Sequence, residues 1–158
     1  MAAAAGVRLW GLFAEREKIG LDSSPFIYYL NRQQPYFPQC LELLRWLETG
    51  RLRGVLSVVS EMELLAAPEV QNRRQLVNDV EALLGRLRYL EIVNVDRTIA
   101  RRAAELRALH RLKGLDALIG ATAASGGCRY LIGNDAEFAK RLTEIEYLVL
   151  DDLIARRP

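Results

Sequence analysis

The sequence predicts an α/β domain, a parallel sheet with helices on both faces. Short apolar, β-branched runs alternate along the chain with longer segments of helical period, the pattern of parallel strands buried beneath helices. A length of 158 residues, 51% apolar and 27% charged, suits one domain with a real core and leaves little room for another. No internal repeat, low-complexity linker or proline-rich hinge divides the chain.

Taken in order, the apolar run Ile19–Asp22 makes the first strand, and helical spacing then covers Ser24–Arg32 and Pro38–Thr49. Val55–Val59 is the second strand, followed by helical period over Ser60–Ala67 and Val70–Arg88. Leu90–Val95 makes the third, leading to helices Asp96–Leu112 and Asp116–Ser125. Arg129–Ile132 and Tyr147–Leu150 complete five strands, with a short helix at Ala136–Arg141 between them. Ahead of the domain at 19–158, Ala2–Lys18 reads as an extra helical extension over residues 1–18. Its Ala-rich start is not a secretory leader, because Arg8 falls inside the apolar stretch rather than before it. No apolar run approaches the ~20 residues that span a bilayer, so the expected setting is cytoplasmic, with no membrane contact.

Composition excludes several chemistries. Cys40 and Cys128 are far apart and form no CxxC pair, which argues against a disulfide framework or a thiolate zinc site and for a reducing compartment. His110 is the sole histidine, so no multi-histidine metal site is available. With 22 basic and 20 acidic residues, net charge alone names no partner.

Four acids stand in apolar surroundings. Asp22 closes the first strand, Glu63 follows the second, and Asp135 follows the fourth. Asp116 is the only charged residue between Gly114 and Cys128. Ligands of open α/β sheets bind at the carboxyl ends of the strands, so one cleft could gather all four. Singly, each acid has a plainer explanation. Asp22, Asp116 and Asp135 could cap the helices that follow, and Ser60 with Glu63 fits a capping box. Glu61 competes with Glu63 for the functional role, and the Leu64-Leu65 pair after Glu63 favours the latter. Together the four acids argue for a cation, because carboxylates a few ångströms apart cannot all ionise without compensation. Magnesium and manganese take such oxygen ligands and support phosphodiester cleavage.

These residues resemble a known family. Leu21-Asp22-Ser23-Ser24 with Phe26-Ile27-Tyr28, then Glu63-Leu64-Leu65, Leu115-Asp116-Ala117-Leu118-Ile119 with Ala121-Thr122-Ala123, and Asn134-Asp135 with Phe138 are similar to the PIN domain, the nuclease module of many VapBC toxins. The resemblance runs from about Ile19 to Leu150, with the four acids separated by 41, 53 and 19 positions. It implies a three-layer α/β/α sandwich and a pocket in which Asp22, Glu63, Asp116 and Asp135 are catalytic and bind Mg2+ or Mn2+. It also implies hydrolysis of single-stranded RNA, with Ser24 and Asn134 shaping the pocket. Gly133 stands where the family commonly carries threonine or serine, which removes one pocket hydroxyl. The extension lies outside the family pattern.

The segment Arg97–Lys113 holds six basic residues against Glu105 alone. On a helical wheel Ile99, Ala103, Leu106 and His110 face inward, and Arg97, Arg101 and Arg111 face outward. Those arginines are read as guiding RNA by phosphate attraction, although a basic run is more commonly a solvated face. The sequence therefore leads to a metal-dependent endoribonuclease, the toxin of a toxin-antitoxin pair, working as a homodimer and neutralised by a cognate antitoxin. The rival is a catalytically inactive PIN-like scaffold that binds RNA or protein. A response-regulator phosphate-transfer domain fits worse, because Ser23 rather than a second acid follows Asp22.

Overall fold

Period-2 alternation along five short strands sorts the apolar residues into two cores, one on each face of a single sheet. The structure is a computed structural model and describes residues 11–67, 70 and 72–155. Its strands are β1 (Lys18–Leu21), β2 (Arg53–Ser57), β3 (Leu90–Val93), β4 (Tyr130–Gly133) and β5 (Glu146–Val149). The helices are α1 (Ser24–Leu30), α2 (Phe37–Thr49), α3 (Val58–Ala66), α4 (Arg74–Arg86), α5 (Arg97–His110), α6 (Gly114–Ser125), α7 (Ala136–Arg141) and α8 (Leu150–Ala155).

All pairings are parallel, in the order β3-β2-β1-β4-β5. The chain runs outward from β1 through β2 to β3, then returns to place β4 on the other side of β1. The order thus reverses between β1 and β4, and a crevice opens at such a switch point. Ile19, Leu21, Leu56, Ile132 and Leu148 face one core with α1, α2 and α4. Val55, Leu131, Tyr147 and Val149 face the other with α5, α6 and α7. Helix α3 serves both, through Leu64 and Val59. This is the expected three-layer sandwich.

Local chemistry moved several boundaries. The second strand ends at Ser57 rather than Val59, because the Ser57 hydroxyl accepts the Val59 N–H at 3.2 Å and starts α3 there. Ser60 consequently lies inside α3, fully buried, and no capping box forms with Glu63. Leu150 begins α8, a helix the sequence pattern did not suggest. The expected helix Ala2–Lys18 lies outside the described residues as far as residue 10. Residues 11–17 are turns and bends, and Lys18 already belongs to β1.

Helix α6 packs tightly on β1. A Cβ at Gly20 would lie 2.7 Å from the Ala123 Cβ and 3.1 Å from a Leu131 methyl, so only glycine admits the helix at this spacing. Overpacking a filled core typically costs about 1–3 kcal/mol. Gly20→Ala should lower stability by that amount in urea unfolding, whereas Gly85→Ala, where nothing lies within 4 Å, should not.

Candidate active site

The acids reach the crevice from four separate elements. Asp22 follows β1 and is only 8% exposed. Its N–H donates to the Ile132 carbonyl at 2.9 Å. Its Oδ1 accepts from the Ser23 N–H at 2.7 Å and its Oδ2 accepts from the Tyr147 hydroxyl at 3.2 Å. The N-cap of α1 is Ser23, so Asp22 does not cap that helix. Glu63 projects from the second turn of α3. Asp116 lies in the first turn of α6, whose N-cap is Lys113, and is likewise not the cap. Asp135 is one: its Oδ1 accepts from the N–H groups of Glu137 and Phe138, both at 3.0 Å. The cap hydrogen bonds aim that carboxyl while it still lines the cleft.

The cleft has two lobes that share Glu63, Asp116 and Asp135. The first, ≈ 690 Å³, adds Asp22, Ser23, Ser24, Met62 and Asn134. The second, ≈ 720 Å³, adds Ala100, Ala103, Ala104, Arg107, Lys113 and Leu118. Glu63 lines both lobes and Glu61 neither. Ser24 lines the first lobe. Asn134 does too, but its amide is spent on structure: it donates to the Tyr28 hydroxyl and accepts from the Asp151 N–H, both at 2.9 Å.

Burial and neighbouring charge raise the carboxyl pKa values of Asp22, Glu63 and Asp116. Burial pushes Asp22 up, reinforced by Asp116 and Asp135 and opposed by the hydrogen bonds from Ser23 and Tyr147. Glu63 rises to about 7, through burial first and then the charges of Asp22 and Asp116. Asp116 rises through burial and Asp135, with Lys113 acting against it. The donor set is all carboxylate, short of positive charge and rich in oxygen, which fits a hard divalent cation. Among the described residues, no group of three or more His, Cys, Asp or Glu is arranged to hold a metal ion as the side chains stand.

The basic residues divide. Arg97, Arg101 and Arg111 are exposed, as the wheel predicts, but none lines the cleft. Arg107 and Lys113 line it and had not been singled out by sequence. The available signal was spacing, since Ala100, Ala103, Ala104 and Arg107 form one stripe on α5. His110 is half-buried at α5's end, with Nε2 3.5 Å from the Thr143 hydroxyl. Tyr147, also missed, supplies a hydroxyl beside Gly133.

The family model for the PIN domain matches residues 19–142, and the chain belongs to the PIN-domain family. No curated protein matches it in sequence. Solved structures share the fold at low identity. VapBC2 from Rickettsia felis, bound to a DNA fragment from its promoter, is 20% identical, with a TM-score of 0.63 over 84% of this chain and 98% of that one. DNA-bound VapBC from Salmonella typhimurium gives 20% and 0.63 over 85% and 98%. VapC20 from Mycobacterium tuberculosis, a Sarcin-Ricin loop cleaving toxin, gives 17% and 0.60 over 81% and 98%.

The pKa shifts carry a sign. Glu63 binds its proton more tightly in the folded chain, so its contribution to stability is fully present below its ordinary pKa of 4.5 and is lost as pH rises to about 7. In chelator, the thermal midpoint of wild type should fall relative to Glu63→Gln across that window, measured by scanning calorimetry at pH 4.5 and 7.5.

Proposed function

We propose that the cleft is a Mg2+- or Mn2+-dependent endoribonuclease centre for single-stranded RNA, in a toxin held by a cognate antitoxin. The observation that carries this reading is the convergence of four carboxylates from four elements at the sheet's switch point, beside a basic lip. The fold by itself hosts more than one function. Asp22, Asp116 and Asp135 would hold the cation, with Glu63 direct or through water. When bound, such a cation supplies charge neutralisation and water activation for phosphodiester cleavage. Arg107 and Lys113 would grip phosphates flanking the scissile bond, while Arg97, Arg101 and Arg111 would act farther out as electrostatic guides. The antitoxin is supported by a structural neighbour from Klebsiella pneumoniae that is a toxin-antitoxin complex.

Asp116→Asn should weaken Mn2+ binding in calorimetry and cut cleavage of single-stranded RNA by more than the roughly 100-fold typical of losing an outer-shell partner. Unchanged Mn2+ affinity would refute the metal assignment, and RNA binding without cleavage by wild type would favour a scaffold.

In the Asp116→Asn background, where RNA stays intact, neutralising Arg107 and Lys113 to Gln should flatten the slope of log affinity against log salt. About 0.7 is lost per phosphate contact on a single strand, or about 1.4 for both. An unaltered slope after reversing Arg97, Arg101 and Arg111 would remove their guiding role.

A further inference from the structure

Gly133 ends β4 directly before Asn134 and Asp135, and the space its side chain would need is already filled. A Cβ there would meet the Tyr147 hydroxyl far inside contact distance, and the Tyr147 Cζ and the Asp22 Cβ both at 2.9 Å. The register explains the encounter. Tyr147 pairs with Leu131 on the neighbouring strand, and Gly133 lies two residues farther toward the carboxyl edge, about 6.6 Å at strand rise. A tyrosine side chain extended along the sheet covers that distance. Its ring is buried on the α5–α7 side against Phe138, with ring centroids 4.9 Å apart, so little freedom remains.

At the end of that reach the hydroxyl makes two bonds. It donates to Asp22 Oδ2 and accepts from the Asp135 N–H, each at 3.2 Å. One oxygen thus bridges the acid after β1 and the backbone of the acid after β4. With Ser23 N–H on Oδ1, both oxygens of Asp22 have a protein donor and the carboxylate plane is fixed. We propose that Tyr147 is a positioning residue of the acidic site, its hydroxyl supplying from β5 a bridge between the Asp22 carboxylate and the backbone of Asp135. Its consequence for cation binding rests on the metal reading above. Gly133 is part of the same device, since any side chain there would expel the hydroxyl.

Two measurements test this. In metal-free protein, Tyr147→Phe should accelerate amide hydrogen exchange at Asp135 without lowering protection of Leu148 within β5. In calorimetry the same variant should lose roughly 10–100-fold in Mn2+ affinity, the usual effect of removing an outer-shell partner. Gly133→Ser, whose side chain would expel the hydroxyl, should bind Mn2+ poorly as well. Unchanged Asp135 exchange in Tyr147→Phe would overturn the bridge, and so would unchanged Mn2+ affinity. If wild type binds no Mn2+, the metal reading fails and the claimed effect on cation binding is overturned with it. Accelerated Asp135 exchange, read without metal, would then uphold the bridge alone.

Discussion

Parallel pairing of β1 with β4 is the constraint on which the site depends. Gly20 registers with Leu131 and Leu21 with Ile132, and the Asp22 N–H continues the ladder onto the Ile132 carbonyl. Because strand order reverses here, the helix after β1 packs in one core and the helix after β4 in the other. Their first turns diverge and leave the crevice between them, with an acid at the root of each. Helices α3 and α6 then close its sides and bring Glu63 and Asp116. The 2.7 Å approach at Gly20 lets α6, which carries Asp116, pack directly on β1, which leads to Asp22.

That arrangement works against its own electrostatics. Asp22, Glu63 and Asp116 are desolvated by the crevice and repelled by neighbouring acids, and their raised pKa values express both effects. What holds Asp22 in place is hydrogen bonding to its charged form, by Ser23 and Tyr147. What holds Asp135 is its cap on α7, so helix capping and a role in the cleft are compatible rather than competing explanations. Lys113 offsets part of the charge at Asp116 from the neighbouring turn. The protein supplies too little positive charge for four carboxylates, and a divalent cation is the simplest complement.

The surroundings of the acids are equally specific. Alanines at 100, 103 and 104 leave room above Glu63 and Asp116 that larger side chains on α5 would fill, and Arg107 and Lys113 border that room. On the other flank Asn134 ties the end of β4 to α1 through Tyr28 and to α8 through the Asp151 amide. Tyr36, stacked on Tyr28 with centroids 4.2 Å apart, donates to the Asp151 carboxylate at 2.5 Å. The C-terminal helix is thereby joined to the same loop that carries Asp135.

The sequence by itself determined the layers, the five strands and the four acids. Alternating apolar runs and helical periods are local signals, and an acid after an apolar strand is visible without a partner. It could not separate Glu63 from Glu61, because both lie in α3 and only packing decides which turns toward Asp22. Nor could it separate capping from chemistry: the supposed box at Ser60 dissolved once Ser57 started the helix, while the cap at Asp135 proved real. Arg107 and Lys113 stayed hidden among six basic residues, since what distinguishes them is the orientation of α5 over α6. Tyr147 was invisible for a stronger reason. Its hydroxyl acts 125 positions from Asp22 and 12 from Asp135 in sequence, and its reach to Gly133 exists only because β5 lies beside β4 in a fixed register. Contacts between strands distant in sequence belong to the assembled sheet, and only the tertiary structure decided them.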